Sequence, residues 1–243
     1  MITGIIIALP EELSTLTTKK IAPGHCEFIA ANRIIAVSSA GPENARLATK
    51  QLLSRGATAI ISWGCAAALN PALKPGDLTL VGNLIAEKRP LLCLRDSDWY
   101  QHTLKTLSQH FELHTGDLLE SRKIVVTSTE KRALQKLTGA SVLDMESYAS
   151  GYLAAQAQIP FLAIRAIADP VCMDLPSIVA DSCTEDGSIN IIKLLFLLAT
   201  RPQQLAALIK LGLHFRAATN KLKLVAKHID NINFFEQSGA AAL

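Results

Sequence analysis

Short apolar runs alternate with helix-length amphipathic stretches along most of this chain, and that alternation constrains its fold more than any other feature. Residues 4–8 (GIIIA), 33–38 (RIIAVS), 59–62, 78–81 and 124–126 read as strands. Between them lie helix signals. Pro42 suits the first position of a helix over 43–55, and Gly56 suits its C-terminal stop. Residues 97–111 carry Tyr100, Leu104, Leu107 and Phe111 on one face. Thr127 and Glu130 have capping-box spacing ahead of another helix. The small-residue stretch 64–68 reads as a loop, and Lys74-Pro75-Gly76-Asp77 as a turn. With no internal repeat and no low-complexity linker, the expectation is a single α/β domain: three layers, α/β/α, around a central mixed and mainly parallel sheet.

Two acidic segments mark the functional end of such a sheet. Asp144-Met145-Glu146-Ser147 stands just before a helix expected over 148–158, and Arg165-Ala166-Ile167-Ala168-Asp169 closes an apolar strand. A strand–helix–strand unit of this length would bring both acids to one edge of a parallel sheet, where open α/β sheets bind ligands. Glu11 and Glu12 follow the first strand, so three acid positions fall at expected strand ends: Glu12, Glu146 and Asp169. Each also has an ordinary reading. First-turn glutamates complement a helix dipole, and an aspartate before Pro170 starts a turn.

Composition removes several function classes. A net charge of +3 with no basic block interleaved with aromatics does not argue for nucleic acid. Five scattered cysteines (Cys26, Cys65, Cys93, Cys172, Cys183) form no CxxC, so neither zinc nor a disulfide framework is expected, and a reducing cytosol fits. No basic stretch precedes the first apolar run, which reads as a strand and not a signal peptide. Ala8-Leu9-Pro10 stands where a dinucleotide fold would place GxGxxG, and no Walker A is present. Ser128 to Lys131 spells SxxK, but no KTG or SDN accompanies it.

The tail has its own character. From Ile189 onward, Lys193, Arg201, Lys210, Arg216, Lys221, Lys223 and Lys227 outnumber Asp230 and Glu236. Residues 191–199 are apolar nearly all round yet too short to span a bilayer, and 205–215 read as an apolar helix with a basic side. The chain is therefore divided into a catalytic region, 1–188, and a helical extension, 189–243, packed on it. That extension reads as helices against the core or a partner subunit, or as a surface for a membrane or an apolar ligand.

GIIIALPEEL, SSAGPENAR, ISWGCAAAL with LKPGDL, LDMES and FLAIRAIAD, in that order, resemble the nucleoside phosphorylase and nucleosidase superfamily over nearly the whole chain. Within it the chain is most similar to hopanoid-associated phosphorylases, whose C-terminal ends resemble ATRPQQLAALIKLGLHFRAATNKL. The resemblance implies a phosphorylase-like fold and cleavage of the N-glycosidic bond of a purine nucleoside. The implied substrate is adenosylhopane, with release of adenine in hopanoid biosynthesis, by a cytoplasmic homo-oligomer. The tail would touch the inner membrane face.

The resemblance also assigns residues. Asp169 would protonate purine N7, and Glu12 would activate a water. Glu146 would hold the ribose hydroxyls, with Met145 packed beneath the sugar. Gly64, Cys65 and Ala66 would line the substrate site. No cofactor is implied, but phosphate is a candidate co-substrate. Ser62 and Cys65 stand where phosphorylases carry phosphate-binding side chains, so the usual arginine is missing. The backbone N–H groups of 64–67 and Arg46, from its own or a neighbouring copy, are the substitutes. The phenylalanine that stacks on the base in nucleosidases is absent, leaving Trp63 as the aromatic candidate. Water and phosphate both stay open as nucleophile. Two other readings also stand: a nucleosidase for small soluble nucleosides such as methylthioadenosine, and a non-catalytic nucleoside-binding protein.

Overall fold

The computed structural model describes residues 1–182 and 191–232. Cys183, the first two residues of the expected extension and Glu236 lie outside the described residues. In chain order the elements are β1 (Thr3–Ile7), α1 (Pro10–Leu13), β2 (Cys26–Ala30), β3 (Arg33–Val37), α2 (Pro42–Ser54), β4 (Ala59–Ala68), β5 (Leu78–Ile85) and β6 (Leu92–Cys93). They continue with α3 (Asp98–Ser108), β7 (Leu113–Glu120), α4 (Ser128–Thr138), β8 (Val142–Asp144), α5 (Ser147–Gln156) and β9 (Phe161–Asp169). The last are α6 (Ser177–Ser182), α7 (Ile191–Thr200), a 3₁₀ turn (Pro202–Gln204) and α8 (Leu205–Ala226).

Local chemistry explains the boundaries. Pro42 opens α2 behind Gly41, and Gly56, just past its end, takes a positive φ that spares it a Cβ clash. Thr127 caps α4 by accepting the Glu130 amide at 3.1 Å, and Ser97 caps α3 through the Tyr100 amide at 3.2 Å. β1 is buried on both faces and β9 along its whole length, which is why they read as unbroken apolar runs. α5 lies against β5 so closely that a Cβ at Gly151 would meet Leu84 Cδ1 at 2.5 Å.

The nine strands form one mixed sheet, as expected for this fold class, with helices on both sides. β3, β1, β4 and β9 run one way, and β5, β7 and β8 the other. β4 pairs β8, β8 pairs β7, β7 pairs β5, β5 pairs β9, and β9 returns to β4, so these five strands close into a ring. Three local expectations are corrected. Residues 64–68 are not a loop but the second half of β4. Residues 124–126 lie outside any strand, and the strand of that region is β7 at Leu113–Glu120. β8 and β9 are antiparallel to one another, so their acids do not share one edge of a parallel sheet.

α8 is built into the main core. Ala218, Leu222 and Val225 are fully buried in the same cluster as β9, and the Trp99 indole donates to the Ile232 carbonyl at 2.7 Å. Among the described residues no helix is long and apolar enough to cross a membrane.

Candidate active site

β4 changes neighbours along one edge, and that change makes the site. Residues 59–62 pair with β1, which runs parallel to β4, while Ala67 and Ala68 pair with β8, which runs antiparallel. β1 and β8 therefore point their C-terminal ends into the same gap, opposite Trp63 to Ala66. Strand ends that diverge in this way leave backbone and side chains free for a ligand. The loop and short helix after β1 deliver Glu12, and the loop after β8 delivers Glu146. Both line a cavity of about 10 Å³ with Ser62, Gly64, Cys65 and Arg165. That volume accommodates about one water molecule.

Glu12 is 3% exposed. Its Oε1 accepts the Cys65 amide at 2.7 Å, and its Oε2 accepts the amides of Leu9 at 3.1 Å and Ala8 at 3.3 Å. The carboxylate lies over Gly64, where an added Cβ would fall 2.6 Å from Oε1. Burial raises its pKa above the ordinary carboxylate range, against the pull of those amides and of Arg165. Glu146 Oε1 accepts the Gly41 amide at 2.8 Å and Oε2 the Met145 amide at 3.1 Å. Burial, together with the neighbouring Asp144 charge, pushes it up to about 7.

Arg165 organises the floor. Its Nε and Nη2 donate to Asp144 Oδ2 at 3.0 and 2.7 Å. Nη2 also meets Ser62 Oγ at 2.6 Å and Ser147 Oγ at 2.8 Å, and Nη1 reaches the Ile164 carbonyl at 3.1 Å. Every nitrogen of this buried guanidinium is engaged, and Asp144 neutralises it. Neither Arg165 nor Asp144 stood out in the sequence as a site residue. The available signal was a lone arginine in the middle of a nine-residue strand that is apolar up to its terminal Asp169.

Asp169 stands apart from this cavity. At the end of β9 it pairs with Ala67, two positions beyond Cys65 on β4, or roughly 7 Å at the ordinary strand rise. Burial raises it to about 6, with the Lys131 ammonium opposing the shift and Asp174 adding to it. Lys131, fully buried on α4, donates to Asp169 Oδ1 at 2.6 Å.

The other expected residues divide. Ser62, Gly64 and Cys65 line the cavity, whereas Ala66 and the half-buried Met145 do not. Trp63 borders it but is 1% exposed, with its indole nitrogen donating to Thr15 Oγ1 at 2.9 Å. It packs in the main core, on the face of β4 opposite Ser62 and Gly64. Arg46 does not reach the cavity; it lies 3.8 Å from Glu43 on the half-exposed side of α2. The amides of 64–67 do not form an anion cradle either. They belong to a strand laddered to β9, and the Cys65 amide is given to Glu12. A larger cavity of about 460 Å³, between α2 and the Gly24 turn, is lined by no acid, histidine or thiol and shares no lining residue with this one.

The phosphorylase superfamily model matches residues 3–180. A search of curated proteins finds no match. Among solved structures, futalosine hydrolase of Helicobacter pylori is 17% identical, with 95% of this chain and 96% of that chain covered and a TM-score of 0.67. The 5′-methylthioadenosine/S-adenosylhomocysteine nucleosidase of Neisseria meningitidis, bound to methylthio-immucillin-A, is also 17% identical, over 93% and 97% of the two chains, with a TM-score of 0.69. The corresponding nucleosidase of S. pneumoniae is 22% identical over 71% and 87%, with a TM-score of 0.61. These likenesses share the fold. A family match over nearly three quarters of the chain, on a sheet that gathers buried carboxylates at the ends of β1 and β8, places this protein in the phosphorylase superfamily, as an enzyme of the nucleoside phosphorylase and nucleosidase kind.

Proposed function

We propose that this protein cleaves the N-glycosidic bond of a purine nucleoside and that the attacking group is water. The observation that carries the reading is the pair of buried carboxylates, Glu12 and Glu146, around a cavity of one-water size whose cation, Arg165, is already neutralised. A phosphate needs cationic or backbone donors, and among the described residues this cavity offers none that is uncommitted. Two carboxylates repel an anion and suit a neutral nucleophile.

In this reading the nucleoside lies between the cavity and Asp169. Glu146 accepts from the ribose hydroxyls, a charge-assisted interaction worth roughly 1.5–3 kcal/mol. As the C1′–N9 bond breaks, its electron pair passes into the purine and Asp169 gives its proton to N7. Glu12 takes a proton from the water that adds to C1′. The products are neutral purine, ribose bearing a new hydroxyl, an Asp169 carboxylate and a protonated Glu12, and exchange with solvent resets both acids. A positioned acid of this kind contributes ~10²–10⁴-fold.

We further propose that the 5′ substituent is a large hydrocarbon, as in adenosylhopane, which would place the enzyme in hopanoid biosynthesis. The sequence resemblance supports this, and so does a row of exposed apolar residues four apart on α8: Leu205, Ile209 and Leu213, with Phe196 exposed on α7. At ~0.8 kcal/mol per buried CH₂, a hopane group leaves a bilayer only against another apolar surface. The fold of the methylthioadenosine nucleosidases favours a second reading, a small soluble nucleoside.

Adenine release from adenosylhopane and from methylthioadenosine, each with and without phosphate, separates these readings. Hydrolysis predicts free ribosyl product and no dependence on phosphate; a sugar 1-phosphate would overturn it. The double variant Ile209→Ser, Leu213→Ser should lose liposome binding and activity on adenosylhopane while still cutting methylthioadenosine. Unchanged partitioning would remove the membrane role.

A further inference from the structure

Lys131 stands out in sequence only as the end of an SxxK without its companion motifs, between Glu130 and Arg132 on a capped helix, yet it is fully buried. An ammonium taken out of water must find partners for its three donors. It finds Asp169 Oδ1 at 2.6 Å, the Met173 carbonyl at 2.8 Å and the Pro170 carbonyl at 3.3 Å. Two further bonds tie the same loop to the same helix end. Asp174 Oδ1 accepts the Ser128 amide at 2.6 Å, and the Leu175 amide donates to the Val126 carbonyl at 2.8 Å. The segment after β9 is thereby fastened to the start of α4, with Lys131 at the centre. Asp169 Oδ2 receives no hydrogen bond from any described residue.

We propose that Lys131 is the positioning residue of the purine acid: it grips Oδ1 and leaves Oδ2 as the oxygen that meets the base. This rests on the reading of Asp169 as the acid. A fully buried Lys131 does not touch the nucleoside, so its effect passes through Asp169. The energetic reason is differential. Before proton transfer the ammonium faces a neutral carboxylic acid; as the proton leaves, it faces a carboxylate. The interaction therefore strengthens as the reaction proceeds, the condition for lowering a barrier. The charged groups acting on Asp169 are Lys131 from α4 and Asp174 from its own loop. The fully buried side chains of α8, the helix packed on β9, are the apolar Ala218, Leu222 and Val225.

The test is a pH profile of adenine release from adenosine by the full chain. Lys131→Met removes the charge at nearly constant volume. It should lower kcat by ~10–10²-fold. It should also move the alkaline limb upward by ~1–3 pH units, because Asp169 then holds its proton to higher pH. Lys131→Gln keeps donors without charge, so its limb should move too, and it serves if the methionine variant folds poorly. In an Asp169→Asn background, Lys131→Met should cost nothing further. An unmoved limb in the folded variants, or an additional tenfold loss in the double variant, would overturn the proposal. If instead Asp169→Asn alone retains wild-type turnover, the assignment of the acid fails, and that is a separate result.

Discussion

Replacing Gly64 with Ala should disable Glu12 without touching it. The new Cβ would lie 2.6 Å from Glu12 Oε1, 2.8 Å from Cδ and 3.0 Å from Oε2. Ordinary contact requires the carboxylate to retreat by roughly 0.8 Å. Backbone strain is not the issue, because Gly64 sits in a regular strand with no positive φ. The retreat stretches the 2.7 Å bond from the Cys65 amide towards about 3.5 Å, where a hydrogen bond is effectively lost. A catalytic group misplaced by about 1 Å costs ~10²-fold in rate, and a lost bond to a charged acceptor costs ~1.5–3 kcal/mol of stability. Steady-state adenine release gives kcat and KM, and urea unfolding gives the stability. The expected result is kcat ~10²-fold lower with KM little changed, because the base acts on water and not on substrate affinity. In a Glu12→Ala background the same substitution should cost nothing more in rate, since no carboxylate remains to displace. Gly212→Ala, on the exposed side of α8 with nothing within 4 Å of its Cβ, is the control and should leave turnover unchanged. A folded Gly64→Ala enzyme with wild-type kcat would refute the role given to Glu12.

Other outcomes follow from the same geometry. Arg165→Met leaves Asp144 buried and unpaired, and unfolding in urea should show a loss of ~3–5 kcal/mol. The pH profile of kcat/KM should peak between about 6 and 7: Asp169, raised to about 6, must keep its proton, and Glu146, raised to about 7, must lose its own. Activity still rising above pH 8 would contradict that pairing. Burial raises Glu120 to about 8. Between the unfolded value near 4.5 and about 8 the folded state binds the extra proton, so stability falls as pH rises, by up to ~1.4 kcal/mol per unit. Glu120→Gln should show a shallower slope in urea titrations at pH 5 to 8, with the remainder from Asp169 and Glu146; a slope equal to wild type would show that Glu120 contributes none.

The chain determined much of this by itself. β1, α2 and the start of α4 were legible because local rules decide them: an apolar run buried on both faces, a proline at a helix start, a threonine accepting an amide three residues on. Glu12, Glu146 and Asp169 were legible as acids following apolar strands, a placement that costs energy without a use. Other features depended on residues far apart in sequence. Residues 64–68 look like a loop because alanine and glycine have weak strand preference, yet β9 ladders 64–67 along one edge and β8 takes up Ala67 and Ala68 on the other. That ladder, and the amide spent on Glu12, is what withdraws the anion cradle a loop would have offered. Trp63 could not be told from a stacking residue until Thr15 was seen to fix its indole in the core. The opposed directions of β8 and β9 are a property of the closed ring, and no strand encodes them alone. Lys131 is the clearest case. Its charge belongs at a surface by every local rule, and only the convergence of Asp169 and two carbonyls, 38 to 42 residues further along the chain, makes burying it tolerable.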